Sequence, residues 1–215
     1  MSWLVKPYLC VKGILDFVFA LILVIALLPV MAFCALLLVI EDPSEPFLYK
    51  PERAGKGNKV FTVFKFRSMR VETERDGQKL SDSERMLKVG GILRKLSLDE
   101  LPQLFNVIRG EMSFIGPRPL PVRYLPYYTD EEIHRHDIRP GLSGWAQVNG
   151  RNFLSWERKL KYDLEYVNNI SFPFDLWIFL ITIRKVFSLS DVGIRGVDIP
   201  DESLHEIRKP NRNRS

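Results

Sequence analysis

An apolar run from Phe17 to Ile40 constrains this chain more than any other feature of its sequence. The run contains no charged residue, and as a straight helix it would be about 36 Å long at about 1.5 Å per residue. Because a hydrocarbon core is about 30 Å thick, the run is long enough to enter or cross a membrane. It is too long for the core of a signal peptide, and no small-residue cleavage site follows it. The sequence therefore predicts a permanent membrane element.

Pro29 lies near the middle of this run and predicts a kink, because proline removes a helical hydrogen bond and clashes with the preceding turn. Basic residues flank the run on both sides, so the positive-inside rule selects no orientation. Two arrangements remain open on these grounds. The helix either crosses the membrane with a kink, or it enters, breaks at Pro29 and returns to the side from which it came.

The polar remainder of the chain carries nearly all of the charge, and the net charge is +5. This balance suits phosphates, nucleotides or acidic lipid head groups as partners. The basic residues are dispersed, which argues against a nucleic-acid-binding module. The two cysteines, Cys10 and Cys34, do not resemble a disulfide pair, and no His/Cys cluster has zinc-site spacing.

The pattern of the polar region predicts an α+β fold that is mostly helical with a short β element. Residues 1–41 are expected to form the membrane element, residues 42–190 a catalytic domain and residues 191–215 a polar tail. The expected elements are a strand at Lys59–Arg67, a short helix at Met86–Leu96 interrupted at Gly90 and Gly91, a segment at Leu98–Arg109, a helix at Ser155–Val167 and an apolar helix at Phe174–Phe187. The last helix suits either the membrane interface or a buried core.

Asp99 and Glu100 are adjacent acids at the start of a predicted helix. Ser97 and Glu100 have the spacing of a capping box, which is the structural explanation for Glu100. Asp99 lies in the first turn, where unpaired N–H groups and the helix dipole favour an ionised carboxylate. An ionised aspartate beside bound phosphate can serve as a metal ligand or as a nucleophile that forms an acyl phosphate.

A phosphate-transfer site also needs cations that offset developing negative charge. Arg118 stands out among them, because its flanking prolines stiffen the backbone and a rigid guanidinium suits bidentate phosphate binding. The full set of candidates is Lys65, Arg67, Arg94, Arg118 and Arg151.

Asp163 falls on the apolar face of the predicted helix Ser155–Val167, together with Trp156 and Leu160. An acid on an inward face needs a partner, so it is either a functional residue such as a metal ligand or half of a buried ion pair. Asp175 is a plausible helix cap, and the histidines are expected at the surface.

Four segments resemble motifs of the bacterial sugar transferases, the small monotopic phosphoglycosyl transferases. They are Lys65–Met69, Leu96–Leu104, Met112–Leu120 and Arg139–Arg151, and they occur in the order found in that family. The small size looks most like the PglC type, which initiates glycan assembly on a lipid carrier. The resemblance extends from Lys12 to about Lys185.

The resemblance implies a ping-pong reaction in which Asp99 attacks a UDP-sugar, releases UMP and passes the phosphosugar to polyprenyl (undecaprenyl) phosphate. It implies Mg²⁺ as cofactor, with Glu100 as a ligand and Asp163 near the metal, and Lys65, Arg118 and Arg151 in contact with phosphates or nucleotide. It also implies a re-entrant membrane helix broken at Pro29, with the active site on the cytoplasmic face of the bacterial inner membrane. A homodimer is compatible with these features.

The sequence leaves the transferred sugar open, although an acetamido sugar is expected from the resemblance. It also leaves open whether the pathway makes a glycoprotein or an exopolysaccharide. Two alternatives are a membrane-anchored, magnesium-dependent phosphotransferase that uses another nucleotide donor, and a catalytically silent scaffold of a polysaccharide assembly complex.

Overall fold

The computed structural model describes residues 5–75, 78–150, 154–188 and 203–208. The helices are α1 (Val5–Glu41), α2 (Asp82–Arg85), α3 (Lys88–Lys95), α4 (Leu104–Ile108), α5 (Trp145–Val148), α6 (Trp156–Asn169), α7 (Phe172–Ser188) and α8 (Leu204–Ile207). The strands are β1 (Leu48–Tyr49), β2 (Glu52–Ala54), β3 (Val60–Thr62), β4 (Lys65–Phe66), β5 (Glu74–Arg75), β6 (Gln78–Lys79), β7 (Ser113–Ile115) and β8 (Gly141–Ser143). The predicted class, mostly helical with a few short strands, is confirmed.

The strands pair two by two and form no larger sheet among the described residues. β1 pairs with β4, β2 with β3 and β5 with β6, all antiparallel, whereas β7 and β8 are parallel. The strand predicted at Lys59–Arg67 is therefore two strands with different partners, because the chain leaves β2 after Thr62 and joins β1 at Lys65. Lys65 and Arg67 also have different partners, Glu100 for Lys65 and Asp42 for Arg67.

Helix α1 is a single 37-residue helix that continues through Pro29. The helix–break–helix expected from the resemblance is not seen as two separate helices, and a bend at Pro29 stays a prediction. Pro29 is exposed, on the side of α1 that faces away from the domain. By length and composition alone, Pro7–Glu41 is the one described helix suited to crossing a membrane.

The two faces of α1 differ along its whole length. One face is buried against the rest of the molecule in two stretches, at Lys12, Asp16 and Ala20 and again at Met31, Cys34 and Leu38. The opposite face exposes large apolar side chains, including Ile14, Ile22, Ile25, Leu28, Phe33 and Ile40. A helix that is apolar on its outer as well as its inner face is typical of a membrane anchor. α1 therefore combines a packing face with a lipid-compatible face.

A buried polar cluster attaches the N-terminal part of α1 to α7. Lys12 Nζ and Tyr8 Oη each donate a 2.6 Å hydrogen bond to Asp175 Oδ2, and Tyr166 Oη donates a 2.5 Å bond to Asp175 Oδ1. Asp175 is thus a buried acceptor for three side chains rather than the helix cap considered from the sequence. Because removing one partner of a buried ion pair leaves the other charge unpaired, loss of Lys12 or of Asp175 should weaken the contact between α1 and α7.

The C-terminal end of α1 is attached to α3. Glu41 accepts hydrogen bonds from the backbone N–H groups of Lys88 (2.7 Å) and Val89 (2.9 Å), which lie in the first turn of α3. A carboxylate at this position satisfies otherwise unpaired donors and complements the helix dipole. Both ends of α1 are therefore fastened to the same polar domain.

Helix α3 is continuous through Gly90 and Gly91, so the predicted interruption there is wrong. Gly90 is required by packing: a Cβ at this position would lie 2.2 Å from the carbonyl oxygen of Ser68. The glycine lets α3 approach the segment that follows β4, which places the end of α3 and the acids after it close to Lys65.

Helix α7 resembles α1 in having two apolar faces. Ile178 is fully buried, while Phe172, Leu176, Trp177 and Leu180 are exposed. Phe19 of α1 contacts Phe179 of α7, with ring centroids 6.3 Å apart. The exposed faces of the two helices thus belong to one apolar region, which favours the interface position over the buried core helix for α7.

The predicted polar tail is described only at residues 203–208. Leu204 of α8 is fully buried beside Tyr124 and Trp156. Arg208 donates a 2.7 Å hydrogen bond to Glu132. This part of the tail therefore packs on the domain, and the remainder of residues 191–215 lies outside the described residues.

Candidate active site

Asp99 and Glu100 lie on a 3₁₀ helix, Leu98–Gln103, which continues into α4. Ser97 precedes it with φ 57° and ψ 18°, a left-handed conformation, and its side chain makes no capping bond. The predicted capping box is therefore wrong, because a residue that caps with its side chain takes an extended backbone. Glu100 is instead bound to Lys65 and Arg118.

Glu100 is held by two cations through one oxygen atom. Lys65 Nζ and Arg118 Nη2 each lie 2.7 Å from Glu100 Oε1. Burial alone would raise the pKa of Glu100, but the charges of Arg118 and Lys65 outweigh it and hold that pKa well below its usual range. Glu100 is consequently ionised across the physiological range. Its Oε2 accepts no side-chain hydrogen bond from the described part of the chain.

Asp99 is buried, with 9% of its surface exposed. Burial raises the pKa of Asp99, and the negative charge of Glu100 raises it further. The positive charges of Lys65, Arg94 and Arg118 act in the opposite direction. The expectation that helix N–H groups would stabilise the ionised form is not met, because desolvation dominates. The two neighbouring acids thus have pKa values shifted in opposite directions, which is the pattern of groups with different roles in one reaction.

Lys65 precedes Glu100 in the chain and Arg118 follows it. Lys65 stands on β4 opposite Tyr49 of β1, and burial lowers its pKa although Glu100 counteracts this. Arg118 follows β7 between two prolines, and Glu100 raises its pKa. The side chain of Arg118 is 41% exposed, so only part of its guanidinium is occupied by Glu100. Its remaining donors make no hydrogen bond with the described residues.

The backbone around Arg118 is fixed by tight contacts. Gly116 N–H donates to Ser143 O (2.9 Å), and Gly141 N–H donates to Pro117 O (3.0 Å). A Cβ at Gly141 would lie 2.1 Å from Gly116 N, so the two loops can approach this closely only with glycine there. Arg135 Nη2 also donates a 2.7 Å bond to the carbonyl of Arg118. This loop therefore presents Arg118 on a rigid backbone.

Arg94 lies near the acids but is bound elsewhere. Its Nε donates a 2.8 Å hydrogen bond to Ser68 Oγ, while its charge acts on Asp99. The structure joins Lys65 and Arg118 to Glu100, the neighbour of Asp99, and the charges of Lys65, Arg94 and Arg118 act on Asp99. Whether these cations contact phosphate stays a prediction.

Arg67 does not belong to this group. Its Nη1 pairs with Asp42 Oδ2 at 2.7 Å, and its other nitrogens donate to the carbonyls of Pro46, Asp42 and Glu45. Only 4% of Arg67 is exposed. The guanidinium is buried at the exit from α1, and each of its three nitrogens already donates to a protein acceptor, so it is not presented to the group around Asp99. The predicted phosphate-binding role of Arg67 is corrected to a structural one.

Asp163 forms a buried ion pair. Arg135 donates to Asp163 Oδ2 through Nε (3.0 Å) and Nη2 (2.7 Å), and both side chains are almost fully buried. This arrangement matches the ion-pair alternative, and it does not bear out a metal ligand at Asp163. Because Arg135 also holds the Arg118 carbonyl, the pair supports the site indirectly.

Arg135 and His136 were missed by the sequence reasoning. His136 is buried, and its Nδ1 lies 2.7 Å from Asn58 Oδ1, which contradicts the surface position expected for the histidines. No short-range pattern marks either residue, since their partners are distant in the chain. Arg151, the last predicted phosphate ligand, lies outside the described residues.

Mg²⁺ is compatible with the acids of this site, although the described residues contain no cluster of three potential metal ligands. Mg²⁺ commonly binds one or two carboxylates and takes its other ligands from substrate phosphates and water. Glu100 is ionised, and its Oε2 is available for such a contact. The fit concerns the Asp99–Glu100 pair. Asp163 Oδ2 is bound by Arg135, whereas its Oδ1 accepts no hydrogen bond within the described residues, so a place for Asp163 near a metal stays a prediction.

Comparison with known proteins gives the family of this chain. Residues 7–189 match the family described as bacterial sugar transferase. The chain is 50% identical over 141 residues to the sugar transferase EpsL of Bacillus subtilis, covering 66% of this chain and 70% of EpsL. It is 37% identical over 190 residues to UDP-N-acetylgalactosamine-undecaprenyl-phosphate N-acetylgalactosaminephosphotransferase of Aeromonas hydrophila, covering 84% of this chain and 44% of that protein.

A third relative is UDP-glucose:undecaprenyl-phosphate glucose-1-phosphate transferase of Escherichia coli. It is 37% identical over 183 residues, which cover 80% of this chain and 39% of the relative. The chain thus spans less than half of the length of these last two proteins. The family match covers the apolar helix, both acids and the loop of Arg118. The chain belongs to the bacterial sugar transferase family.

Proposed function

We propose that this protein transfers a sugar 1-phosphate from a UDP-sugar to polyprenyl phosphate and releases UMP. The observation that carries the proposal is the buried Asp99 beside Glu100, Lys65 and Arg118, in a chain of this family. Two relatives are named as transferases that use undecaprenyl phosphate. An enzyme of this class performs the first membrane step of glycoconjugate or exopolysaccharide assembly.

In the first half-reaction, an ionised Asp99 oxygen attacks the phosphorus that bears the sugar. A bond forms between that oxygen and phosphorus, and the bond to the bridging oxygen breaks, so that UMP leaves with the electron pair. The raised pKa of Asp99 makes its carboxylate more basic than an ordinary one, and Lys65, Arg94 and Arg118 offset the negative charge around the phosphorus. The product is a phosphosugar joined to Asp99.

In the second half-reaction, a phosphate oxygen of the acceptor attacks the same phosphorus. The bond to Asp99 breaks, the carboxylate is regenerated, and a polyprenyl diphosphate sugar is released. Glu100 keeps Lys65 and Arg118 in position in both steps, because its Oε1 binds both cations. Mg²⁺ held by Glu100 and the substrate phosphates would supply further positive charge for the departing phosphate.

The location of the site suits a soluble donor and a lipid acceptor. α1 and α7 expose apolar faces, while the acids lie in the polar domain. We place the protein in the bacterial inner membrane with the site on the cytoplasmic face, where nucleotide sugars are made. The sugar is left open, since the relatives are named for N-acetylgalactosamine and for glucose; an acetamido sugar is our working choice.

The test measures UMP release from a panel of UDP-sugars with Mg²⁺ and undecaprenyl phosphate. Wild type is compared with Asp99→Asn and Asp99→Ala, and intact-protein mass spectrometry looks for a phosphosugar adduct. We expect release and an adduct with wild type, and a loss of at least about a thousandfold in both variants. Release from another nucleotide donor, or undiminished turnover in Asp99→Asn, would rule the proposal out.

A further inference from the structure

Arg135 is a fully buried arginine that bonds the backbone of Arg118. It lies in a 3₁₀ helix, Glu132–His136, and only 1% of its surface is exposed. Its Nη2 donates a 2.7 Å hydrogen bond to the carbonyl oxygen of Arg118. Pro117 and Pro119, on either side of Arg118, have no N–H group with which to fasten the loop. The carbonyl of Arg118 is therefore the point at which Arg135 holds this stretch of backbone.

The guanidinium of Arg135 is itself held at all three of its nitrogens. Nε and Nη2 donate to Asp163 Oδ2, at 3.0 and 2.7 Å, and Nη1 lies 3.0 Å from His136 Nε2. Because arginine has no acceptor, His136 Nε2 must be the acceptor of that bond and carries no proton. The proton of the neutral imidazole is then on Nδ1, which donates to Asn58 Oδ1 at 2.7 Å. A planar group bound at three nitrogens has a single orientation.

This network joins parts of the chain that are distant in sequence. Asp163 belongs to α6, and Asn58 to the turn between β2 and β3. Arg135 also lies over the ring of Tyr128, with its Cζ 5.7 Å from the ring centroid. A buried ion pair is often no more stabilising than well-packed apolar side chains of similar volume, but apolar side chains could not donate to Arg118 O. The charge of Arg135 is therefore better explained by its bond to the loop than by stability alone.

Resting on the proposed function, we infer that Arg135 is a positioning residue for the transfer: it acts through Arg118 and does not touch the substrate. The side chain of Arg118 reaches Glu100 Oε1 at 2.7 Å. A donor phosphate beside Asp99 meets the other donors of Arg118 only if the backbone holds this guanidinium at the right distance. A displacement of about 1 Å at such a site can lower the rate about a hundredfold. His136 contributes in turn, because it orients Arg135.

The experiment is a double-mutant cycle on the full-length protein in nanodiscs. The single variants are Arg135→Lys and Arg118→Lys, and a third protein carries both substitutions. Lysine at position 135 keeps a charge beside Asp163, but its one nitrogen cannot reproduce the three-point binding of the guanidinium. For each protein we would measure kcat/KM for UMP release from a UDP-sugar. The dissociation constant of UDP, measured by calorimetry, gives a second cycle that needs no turnover.

We expect Arg135→Lys to lower kcat/KM about ten- to a hundredfold and to weaken UDP binding about tenfold. In the Arg118→Lys background, the same substitution should change either quantity by no more than about threefold, because the residue through which it acts is already altered. The control is Arg67→Lys, which alters a second buried arginine that pairs with Asp42 and donates to three backbone carbonyls. Its melting temperature should fall, whereas its kcat/KM should stay within about threefold of wild type.

Losses that multiply in the double variant would overturn the inference, because Arg135 would then act independently of Arg118. Wild-type kcat/KM and UDP binding in Arg135→Lys would overturn it as well. So would an equal loss of kcat/KM in Arg67→Lys, since the effect would then follow from damage to any buried arginine.

His136→Phe takes the place of Arg135→Lys in the cycle if the latter does not fold. It keeps a ring packed on Tyr128 and removes the acceptor for Arg135 Nη1, and we expect about a five- to tenfold loss of kcat/KM that disappears in the Arg118→Lys background. A failure of the proposed function appears in wild type, which would release no UMP from any UDP-sugar. The UDP-binding cycle then decides the inference, and a wild type that does not bind UDP overturns it.

Discussion

Asp99 and Glu100 are adjacent carboxyl groups with opposite tendencies to ionise. The difference comes from their partners. One oxygen of Glu100 accepts hydrogen bonds from both Lys65 and Arg118. Asp99 is buried, and these cations act on it only through their charge within the described residues. A carboxylate with a lowered pKa is a good ligand and a poor base, and one with a raised pKa is the better nucleophile. These opposite shifts support the proposed roles, attack by Asp99 and positioning by Glu100.

The raised pKa of Asp99 predicts the acid side of the pH profile. Only the ionised form attacks, so activity should fall as the pH drops through a pKa above the usual value of about 3.9. Arg94 lowers the pKa of Asp99, and Arg94→Gln should therefore raise it and move the acid limb of kcat/KM to higher pH. Arg94→Lys keeps the charge and is the control. An acid limb that stays in place, or moves to lower pH, would show that Asp99 does not control it.

The sequence predicted which residue types gather around Asp99, but not how they are held. Lys65, Arg94 and Arg118 were identified because phosphate chemistry needs cations. Arg67 was included on the same reasoning, although Asp42 and three carbonyls use all its nitrogens. The left-handed backbone of Ser97 and the partners of Asp163 and Asp175 depend on contacts distant in sequence. Local patterns carry no information about such contacts.

Among the secondary-structure elements, α3 shows how a single glycine sets a packing distance. The sequence suggested that Gly90 and Gly91 interrupt a helix, since glycine weakens helices. In the structure α3 packs so closely on Ser68 that position 90 has no room for a side chain, whereas position 91 is open. The intrinsic preference of glycine is overridden by tertiary contact, which a propensity scale does not include.

The two glycines offer a matched pair of substitutions. Gly90→Ala would place Cβ 2.2 Å from Ser68 O and should destabilise the protein by about 1–3 kcal/mol or more, because backbone must move. Gly91→Ala meets only Met86 Cγ at 3.7 Å and should be neutral or stabilising by up to about 1 kcal/mol. The melting temperatures of wild type and of the two variants, recorded in the same detergent, measure both changes in stability. Equal effects of the two substitutions would contradict the packing argument.

Helix prediction succeeded where periodicity and capping agreed. The helix predicted at Ser155–Val167 is observed as α6, Trp156–Asn169, and Ser155 caps it by accepting from Arg158 N–H. The strand at Lys59–Arg67 failed in part, because very short strands are determined by their partners rather than by residue preference. The elements around the two acids are short and depend on their partners in the same way. The sequence therefore predicted which residues belong to the site better than how they are arranged.

At the scale of the whole molecule, the attachment of α1 bears on its position in the membrane. Lys12 is bonded to Asp175 near one end and Glu41 to α3 at the other, and the buried face packs on the polar domain between them. A helix that crossed a bilayer would carry its two ends to opposite sides, and one end would have to leave the domain. The contacts therefore favour α1 lying in one leaflet with both ends on the side of the active site.

Cysteine labelling tests this arrangement with residues that the chain already has. Cys10 is exposed and Cys34 is buried, so a Cys34→Ala variant reports on the N-terminal part of α1. Lys56→Cys in a chain without Cys10 and Cys34 reports on the polar domain, since Lys56 is exposed there. With a membrane-impermeant maleimide we expect both variants to react in inside-out vesicles and neither to react in intact spheroplasts. Reaction of Cys10 in spheroplasts, while the Lys56→Cys variant stays protected, would show instead that α1 crosses the membrane and that its contacts with Asp175 do not persist there.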